Sequence, residues 1–336
     1  NIITYLMGAP GVISLEAQLY YHLGNVTEFR KTIKTIQETM FRCVKTFNEE
    51  GAAEYELLYG LPGFLYILLD LQVKFQFNKN VKDEFKIDLE KEVIDLTFTL
   101  LGEVDPDELG IFFEQDQWRL FCQIFDSEYF GAAHGTFGVL YMLLAAYKLN
   151  QKAFDDQGSA TEVMLQKLRR SYKNLISLQL PSGNFPCHSK SLQSDKLVQW
   201  CHGSPGIIPA LLLASEVFTD AELKKSLLES AVKAGENVWK YGALKKGFNL
   251  CHGVLGNAMA LVSLYRATKD KKWLHRAYEF SLLKNDKKAM SNIENFECKQ
   301  RVCVGMSDEP YSLLNGLTGE IYFRLDMLDP MNARFP

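Results

Sequence analysis

The sequence predicts an all-α protein in which helical hairpins close into an α/α toroid, and three observations carry that prediction. A pair of glycines three residues apart recurs six times along the 336 residues, and each pair opens into an apolar run. Amphipathic segments with helical spacing lie between the copies. Strand signals are weak, and the β-branched residues over 292–304 permit only a small irregular element.

In chain order the pairs are Gly8 with Gly11, Gly60 with Gly63, Gly135 with Gly138, Gly203 with Gly206, Gly253 with Gly256 and Gly316 with Gly319, spaced 50 to 75 residues apart. The runs that follow, such as Val139 to Tyr147 and Ile207 to Ala214, are apolar all round, the pattern of helices buried on every side. Thr161 to Leu178 sets Met164, Leu168, Tyr172 and Leu175 on one stripe. Ala221 to Trp239 repeats Leu223, Leu227, Ala231, Ala234 and Val238 at helical spacing, with Thr219 and Glu222 as a capping box at its start. Each repeat therefore reads as one buried and one half-exposed helix, a hairpin of about 60 residues. The inner ring begins at the glycine pairs, which places them at one end of the barrel. Glycine there adopts backbone conformations closed to other residues and lets loops approach a ligand. Tight helix packing alone is the other reading of the same glycines.

Composition bounds the function. With 47% hydrophobic and 23% charged residues the chain can bury a large core, which excludes disordered, collagen-like and disulfide-scaffold classes. Lys and Arg total 37 against 41 Asp and Glu, a net charge of −4 that argues against a nucleic-acid partner. Seven cysteines, an odd number in a chain this long, point to a reducing compartment and thus the cytoplasm. The longest charge-free stretch, Tyr129 to Tyr147, is interrupted by Gly131, His134, Gly135 and Gly138 and is no transmembrane segment. The chain opens Asn1-Ile2-Ile3-Thr4-Tyr5, with neither Met nor a charged leader.

The residues fit for chemistry stand just before the glycine pairs: Glu56, His134, Cys201 with His202, and Cys251 with His252. Four of the six repeats thus carry a titratable or soft group at the same end of the barrel. Two thiolates and an imidazole form a three-ligand zinc set with the fourth position open, as in catalytic zinc sites; buried structural thiols are the alternative. Cys251 and His252 are neighbours, which suits one ion only in a loop. His134 fits a general acid or base, or a satisfied polar residue. Glu56 fits a catalytic carboxylate or a solvated helix-start residue. Lys245 and Lys246 are surface charge or a receiver of an anionic ligand at the cavity mouth. Cys43, Cys122 and Cys187 are expected to be buried or incidental, and Cys298 and Cys303, flanking Arg301, have no assigned role.

At these residues the chain resembles the eukaryotic lanthionine synthetase C-like (LanC-like) proteins. The segments that carry the resemblance are 55–60 (Tyr-Glu-Leu-Leu-Tyr-Gly), 131–135 (Gly-Ala-Ala-His-Gly), 181–186 (Pro-Ser-Gly-Asn-Phe-Pro), 200–206 (Trp-Cys-His-Gly-Ser-Pro-Gly), 244–253 (Leu-Lys-Lys-Gly-Phe-Asn-Leu-Cys-His-Gly) and 333–336 (Ala-Arg-Phe-Pro). The resemblance implies one domain over 1–336, a seven-hairpin α/α barrel whose first N-terminal hairpin is lacking here, with two apolar helix flanks left unpaired. It implies zinc on Cys201, Cys251 and His252. It further implies glutathione as co-substrate, added to dehydroalanine and dehydrobutyrine residues of proteins or peptides, with His134 and Glu56 handling protons and Lys246 near glutathione; His202 is a third catalytic candidate. The nucleus and the membrane periphery join the cytoplasm as implied locations.

Bacterial relatives, the lantibiotic cyclases, add a peptide's own cysteine to the same electrophiles. They carry Arg four residues before the first zinc cysteine and Tyr just after it, where this chain has Leu197 and His202; this favours transfer over cyclisation. Asn315 stands where the eukaryotic members usually have Glu. A peptide cyclase, and a non-catalytic scaffold binding zinc and glutathione, are the competing readings.

Overall fold

Every one of the six glycine pairs begins a helix. The computed structural model describes residues 8–50, 56–101, 123–124, 127–244, 246–285 and 309–333. Its helices are α1 (Ala9–His22), α2 (Val26–Glu50), α3 (Leu61–Leu71), α4 (Glu90–Leu101), α5 (Thr136–Leu149), α6 (Gln151–Asp155), α7 (Ser159–Ile176), α8 (Ser204–Val217), α9 (Ala221–Tyr241), α10 (Val254–Thr268), α11 (Lys271–Leu282) and α12 (Leu317–Asp326). The strands among the described residues are the two-residue pieces β1 (Gln123–Ile124) and β2 (Ser127–Glu128). The first glycine of each pair is the residue immediately before α1, α3, α5, α8, α10 or α12. No described helix is long and apolar enough to cross a membrane.

A glycine has no side chain with which to cap a helix, and the orphan amides find the backbone of the preceding loop instead. Ahead of α5, α10 and α12 the carbonyl seven residues upstream accepts an early amide of the helix, while at α8 the Asn184 side chain accepts Ser204 N. Tyr129 O takes Thr136 N at 3.0 Å, Gly247 O takes Val254 N at 3.0 Å, Asn249 O takes Gly256 N at 3.2 Å and Pro310 O takes Leu317 N at 2.8 Å. This fold-back accounts for the second glycine at four of the six pairs. A Cβ on the second glycine would lie 1.9 Å from Ala132 O at Gly138, 2.0 Å from Trp200 O at Gly206, 1.9 Å from Leu250 O at Gly256 and 2.2 Å from Leu313 O at Gly319. Close approach, more than unusual torsion, is the reason for glycine: Gly60, Gly253 and Gly316 are extended, and only Gly203 among the pairs has a positive φ, at 98°. Gly256→Ala is therefore expected to cost about 1–3 kcal/mol, read as a lower denaturant midpoint. An unchanged midpoint would contradict the fold-back account.

The chain divides into two compact units, one of Asn1–Asp126 with Val139–Ser171 and one of Ser127–Gly138 with Tyr172–Pro336. In the first, α1 and α2 form a hairpin, and Tyr21, Phe29, Phe75 and Phe85 meet edge to face at 5.0–5.3 Å between ring centres. The buried amides of Gln72 and Asn150 pair reciprocally at 2.8 and 2.9 Å. In the second, α8 with α9 and α10 with α11 form hairpins, and α8 packs on α10. The stripe Leu223, Leu227, Ala231, Ala234 and Val238 is buried; on α7, Met164 and Leu168 of the first unit and Tyr172 and Leu175 of the second are buried too.

Two expectations need correction. The cap of α9 is Asp220, whose carboxylate accepts Leu223 N at 2.7 Å, so the proposed box of Thr219 and Glu222 does not form. The glycine-led helices are not all buried on every side: α3, α5, α8 and α10 are largely enclosed, whereas α1 exposes Val12, Leu15 and Leu19 and α12 exposes Leu317, Ile321 and Leu325.

α12 is tied electrostatically to the 3₁₀ turn at Leu283–Asn285 that follows α11. The Glu320 carboxylate meets Lys284 at 2.7 Å and Arg324 at 2.9 Å. Burial pushes its pKa up, but the hydrogen bonds and charges of Lys284 and Arg324 outweigh this and hold it below the usual Glu value. The unfolded chain consequently takes up this proton first as pH falls. Glu320 stabilises the fold fully above the ordinary carboxylate range, near pH 4.3, and the contribution fades as pH drops through the lower native value. Glu320→Gln should destabilise at neutral pH and lose most of that disadvantage below pH 4 in thermal melts; a gap independent of pH would refute the assignment.

Candidate metal centre

The loops ahead of α5, α8, α10 and α12 lie against one another in chain order. Cys201 N donates to Cys251 O at 3.1 Å, while Leu250 N and Cys251 N both donate to Leu314 O, at 3.0 and 2.9 Å. Gly131 lies so close to the α8 loop that a Cβ there would be 2.2 Å from Cys201 O, and one on Gly206 would be 2.6 Å from the Ala132 methyl. Side-chain amides fix the loops further. Asn184 accepts Ser204 N at 2.8 Å and donates to Asp195 at 2.9 Å and Leu197 O at 3.0 Å. Asn257 donates to Val198 O and Gly242 O at 2.8 and 2.9 Å. Loop-borne residues distant in sequence thereby become neighbours.

Cys201 Sγ, Cys251 Sγ and a His252 ring nitrogen lie within 4.8 Å of one another, the sole such donor group among the described residues. Tetrahedral zinc, with bonds of about 2.3 Å to sulfur and about 2.0 Å to nitrogen, separates its ligand atoms by roughly 3.5–3.8 Å, so this set fits the ion with little movement. Adjacency of Cys251 and His252 is accommodated because both precede α10 in a loop, where Asn249 accepts His252 N at 3.0 Å and donates to Lys246 O at 2.8 Å. Cys201 is buried and the other two are half-buried.

The electrostatics suit a ligand set. The Cys251 thiol donates to the Cys201 sulfur, which favours a Cys201 thiolate against the cost of burial and holds Cys251 protonated well above its ordinary value. Gln199 Nε2 also donates to Cys201 Sγ, at 3.0 Å. Burial and the Lys246 charge push His252 down, towards the neutral imidazole that binds metals. Burial, helped by His134, Lys246 and His188, lowers His202 to about 4, so its imidazole is neutral at physiological pH. Cys187, buried near Cys201, is pushed up to about 11, chiefly by burial, and remains a thiol.

The sequence candidates distribute as follows. His134 and His202 face each other with ring centres 5.8 Å apart, and Tyr129 lies 5.5 Å from His202. Lys246 reaches Gln199 Oε1 at 2.7 Å. Glu56 belongs to the first unit, where it is fully buried at the turn into α3 and accepts the Tyr59 amide; it is not a solvated carboxylate. The Asn315 backbone N–H donates to Ser312 Oγ at 3.1 Å. Cys187 is buried as expected, whereas Cys43 is half-buried. Lys245, Cys122, Cys298, Cys303 and Arg301 lie outside the described residues, as does the 292–304 element. Sequence reading missed Gln199, Asn249 and Asn184. The only signal for the first two was their position two residues before a cysteine.

The whole chain, residues 1–336, matches the family model described as lanthionine synthetase C-like protein. It is 31% identical over 335 residues to a Danio rerio protein named glutathione S-transferase LANCL1, covering 99% of this chain and 73% of that one. Against the LanC-like protein GCL1 of Arabidopsis thaliana it is 31% identical over 340 residues, covering 99% and 70%. Among solved structures, nisin cyclase superposes with a TM-score of 0.52 at 16% identity, covering 98% of this chain and 90% of the other. That likeness establishes the fold.

Proposed function

Since the chain belongs to the lanthionine synthetase C-like family, we propose that it is a zinc-dependent glutathione transferase that adds glutathione to dehydroalanine and dehydrobutyrine residues in proteins or peptides. The observation that carries this reading is the three-donor cluster of Cys201, Cys251 and His252, set among histidines and a lysine. The name borne by the Danio rerio relative supports the choice of thiol.

Cys201, Cys251 and His252 hold the zinc. Bound there, zinc supplies a Lewis acid that lowers the pKa of a thiol while leaving its sulfur electron-rich. The glutathione sulfur bonds to the β-carbon of the dehydroamino acid, the carbon–carbon π bond breaks, and the α-carbon takes up one proton, so the thiol adds without a leaving group. His134 delivers that proton, with neutral His202 alongside, and the resemblance alone gives Glu56 a part in proton handling. Lys246 receives an anionic group of glutathione. Free Cys187, Cys201 and Cys251 support a reducing compartment such as the cytoplasm.

A peptide carrying both dehydroalanine and cysteine, incubated with the protein and glutathione, separates the readings by mass. Transfer adds the mass of one glutathione. A cyclised product keeps the original mass and no longer reacts with a thiol-alkylating reagent, and a binding scaffold changes neither. The account expects the first outcome, and either of the others overturns it.

A further inference from the structure

Gln199 is held at both ends in a way that leaves its amide a single orientation. Its side chain is buried, and Lys246 Nζ lies 2.7 Å from Oε1. A lysine ammonium only donates, so Oε1 must face Lys246 and Nε2 must face the other way, where Cys201 Sγ accepts at 3.0 Å. The backbone adds a second restraint, since Gln199 and His202 exchange amide–carbonyl bonds of 3.1 Å on either side of Cys201. Lys246 in turn is fixed at its carbonyl by Asn249, which also accepts His252 N. A fixed N–H aimed at a ligand sulfur withdraws charge from it, and an ammonium on the far side of the amide strengthens that pull.

We propose that Gln199 is a positioning residue of the metal centre: through one locked amide it links Lys246 to Cys201, setting the sulfur's orientation and electron donation while holding the lysine beside the site. The inference rests on the metal-binding reading of Cys201, Cys251 and His252 and goes beyond it, because it assigns the tuning of one ligand to a residue outside the donor set.

The test uses the whole chain loaded with cobalt(II) in place of zinc, so that the sulfur-to-metal charge-transfer band reports on the thiolates directly. Gln199→Met keeps the side chain's length and removes both hydrogen bonds; Gln199→Glu, close to isosteric, removes the donor to sulfur and serves if the Met variant fails to fold. Without the donated hydrogen bond the sulfur lone pairs rise in energy, so the band should move to longer wavelength in both variants, with cobalt affinity weakened about 10- to 100-fold. A residue needed only for packing would alter the melting temperature and leave the band of the folded, loaded protein in place. An unshifted band with affinity within about twofold of the wild type overturns the inference while leaving the metal centre intact. Absence of a thiolate band in the wild-type protein overturns the metal reading itself, and this inference with it.

Discussion

Replacing Cys201 by Ala should reduce the zinc content of the purified protein from one ion per chain to a small fraction of that, and glutathione transfer should fall in proportion. Cys201 is the most buried of the three donors and the one that accepts hydrogen bonds from both Cys251 and Gln199. Loss of an outer partner of a metal ligand already weakens affinity about 10- to 100-fold, and loss of a ligand atom should exceed that range. Cys187→Ala is the matched control. It removes another buried thiol close to Cys201 that lies outside the donor set, and it should keep its zinc. Elemental analysis of the two variants decides the matter. Full retention of metal in Cys201→Ala would remove that residue from the site.

His134→Asn should lower the rate of adduct formation by roughly 10²- to 10⁴-fold, the usual contribution of a positioned general acid. Asparagine keeps part of the shape and some hydrogen bonding but has no proton to give. His134 is not in the donor set, and zinc content and glutathione affinity should change little. A histidine with a purely structural role would produce the opposite pattern, a lower melting temperature with turnover per zinc-loaded molecule intact. Wild-type turnover in the Asn variant would shift proton delivery to His202, Glu56 or water.

The sequence made the helix starts legible because a glycine pair before an uncharged apolar run leaves few alternatives, and all six begin helices. The reason for the pairs was only half visible. Loop approach was anticipated, but the reversed path that brings Leu250 O against Gly256 depends on where the chain turns, and no residue type records that. The buried stripes of α7 and α9 were readable because 3.6-residue periodicity is itself the packing constraint. The exposed flanks of α1 and α12 were not, since an apolar residue on a helix does not say which neighbour covers it. At the α9 start, Asp220 and Thr219 are both capping side chains, and the carboxylate one residue nearer the helix takes the Leu223 amide.

The same distinction runs through the site. Cysteine and histidine next to repeat glycines stand out because both are scarce and their chemistry is specific. Gln199 and Asn249 are ordinary amides in sequence, and they acquire a role only after the α8 and α10 loops have been brought together. Glu56 fits the motif and belongs to the first unit, and its part in proton handling rests on the resemblance.

The most direct test of zinc-dependent glutathione transfer follows one purified protein through metal removal and return. A dehydroalanine peptide is incubated with glutathione and protein before chelation, after chelation, and after zinc is restored to one ion per chain, and adduct formation is measured by mass spectrometry against a protein-free control. The account predicts adduct with the native protein, a rate at the protein-free level after chelation, and recovery when zinc returns. Transfer that continues undiminished in the metal-free protein, or none with the zinc-loaded one, would contradict it.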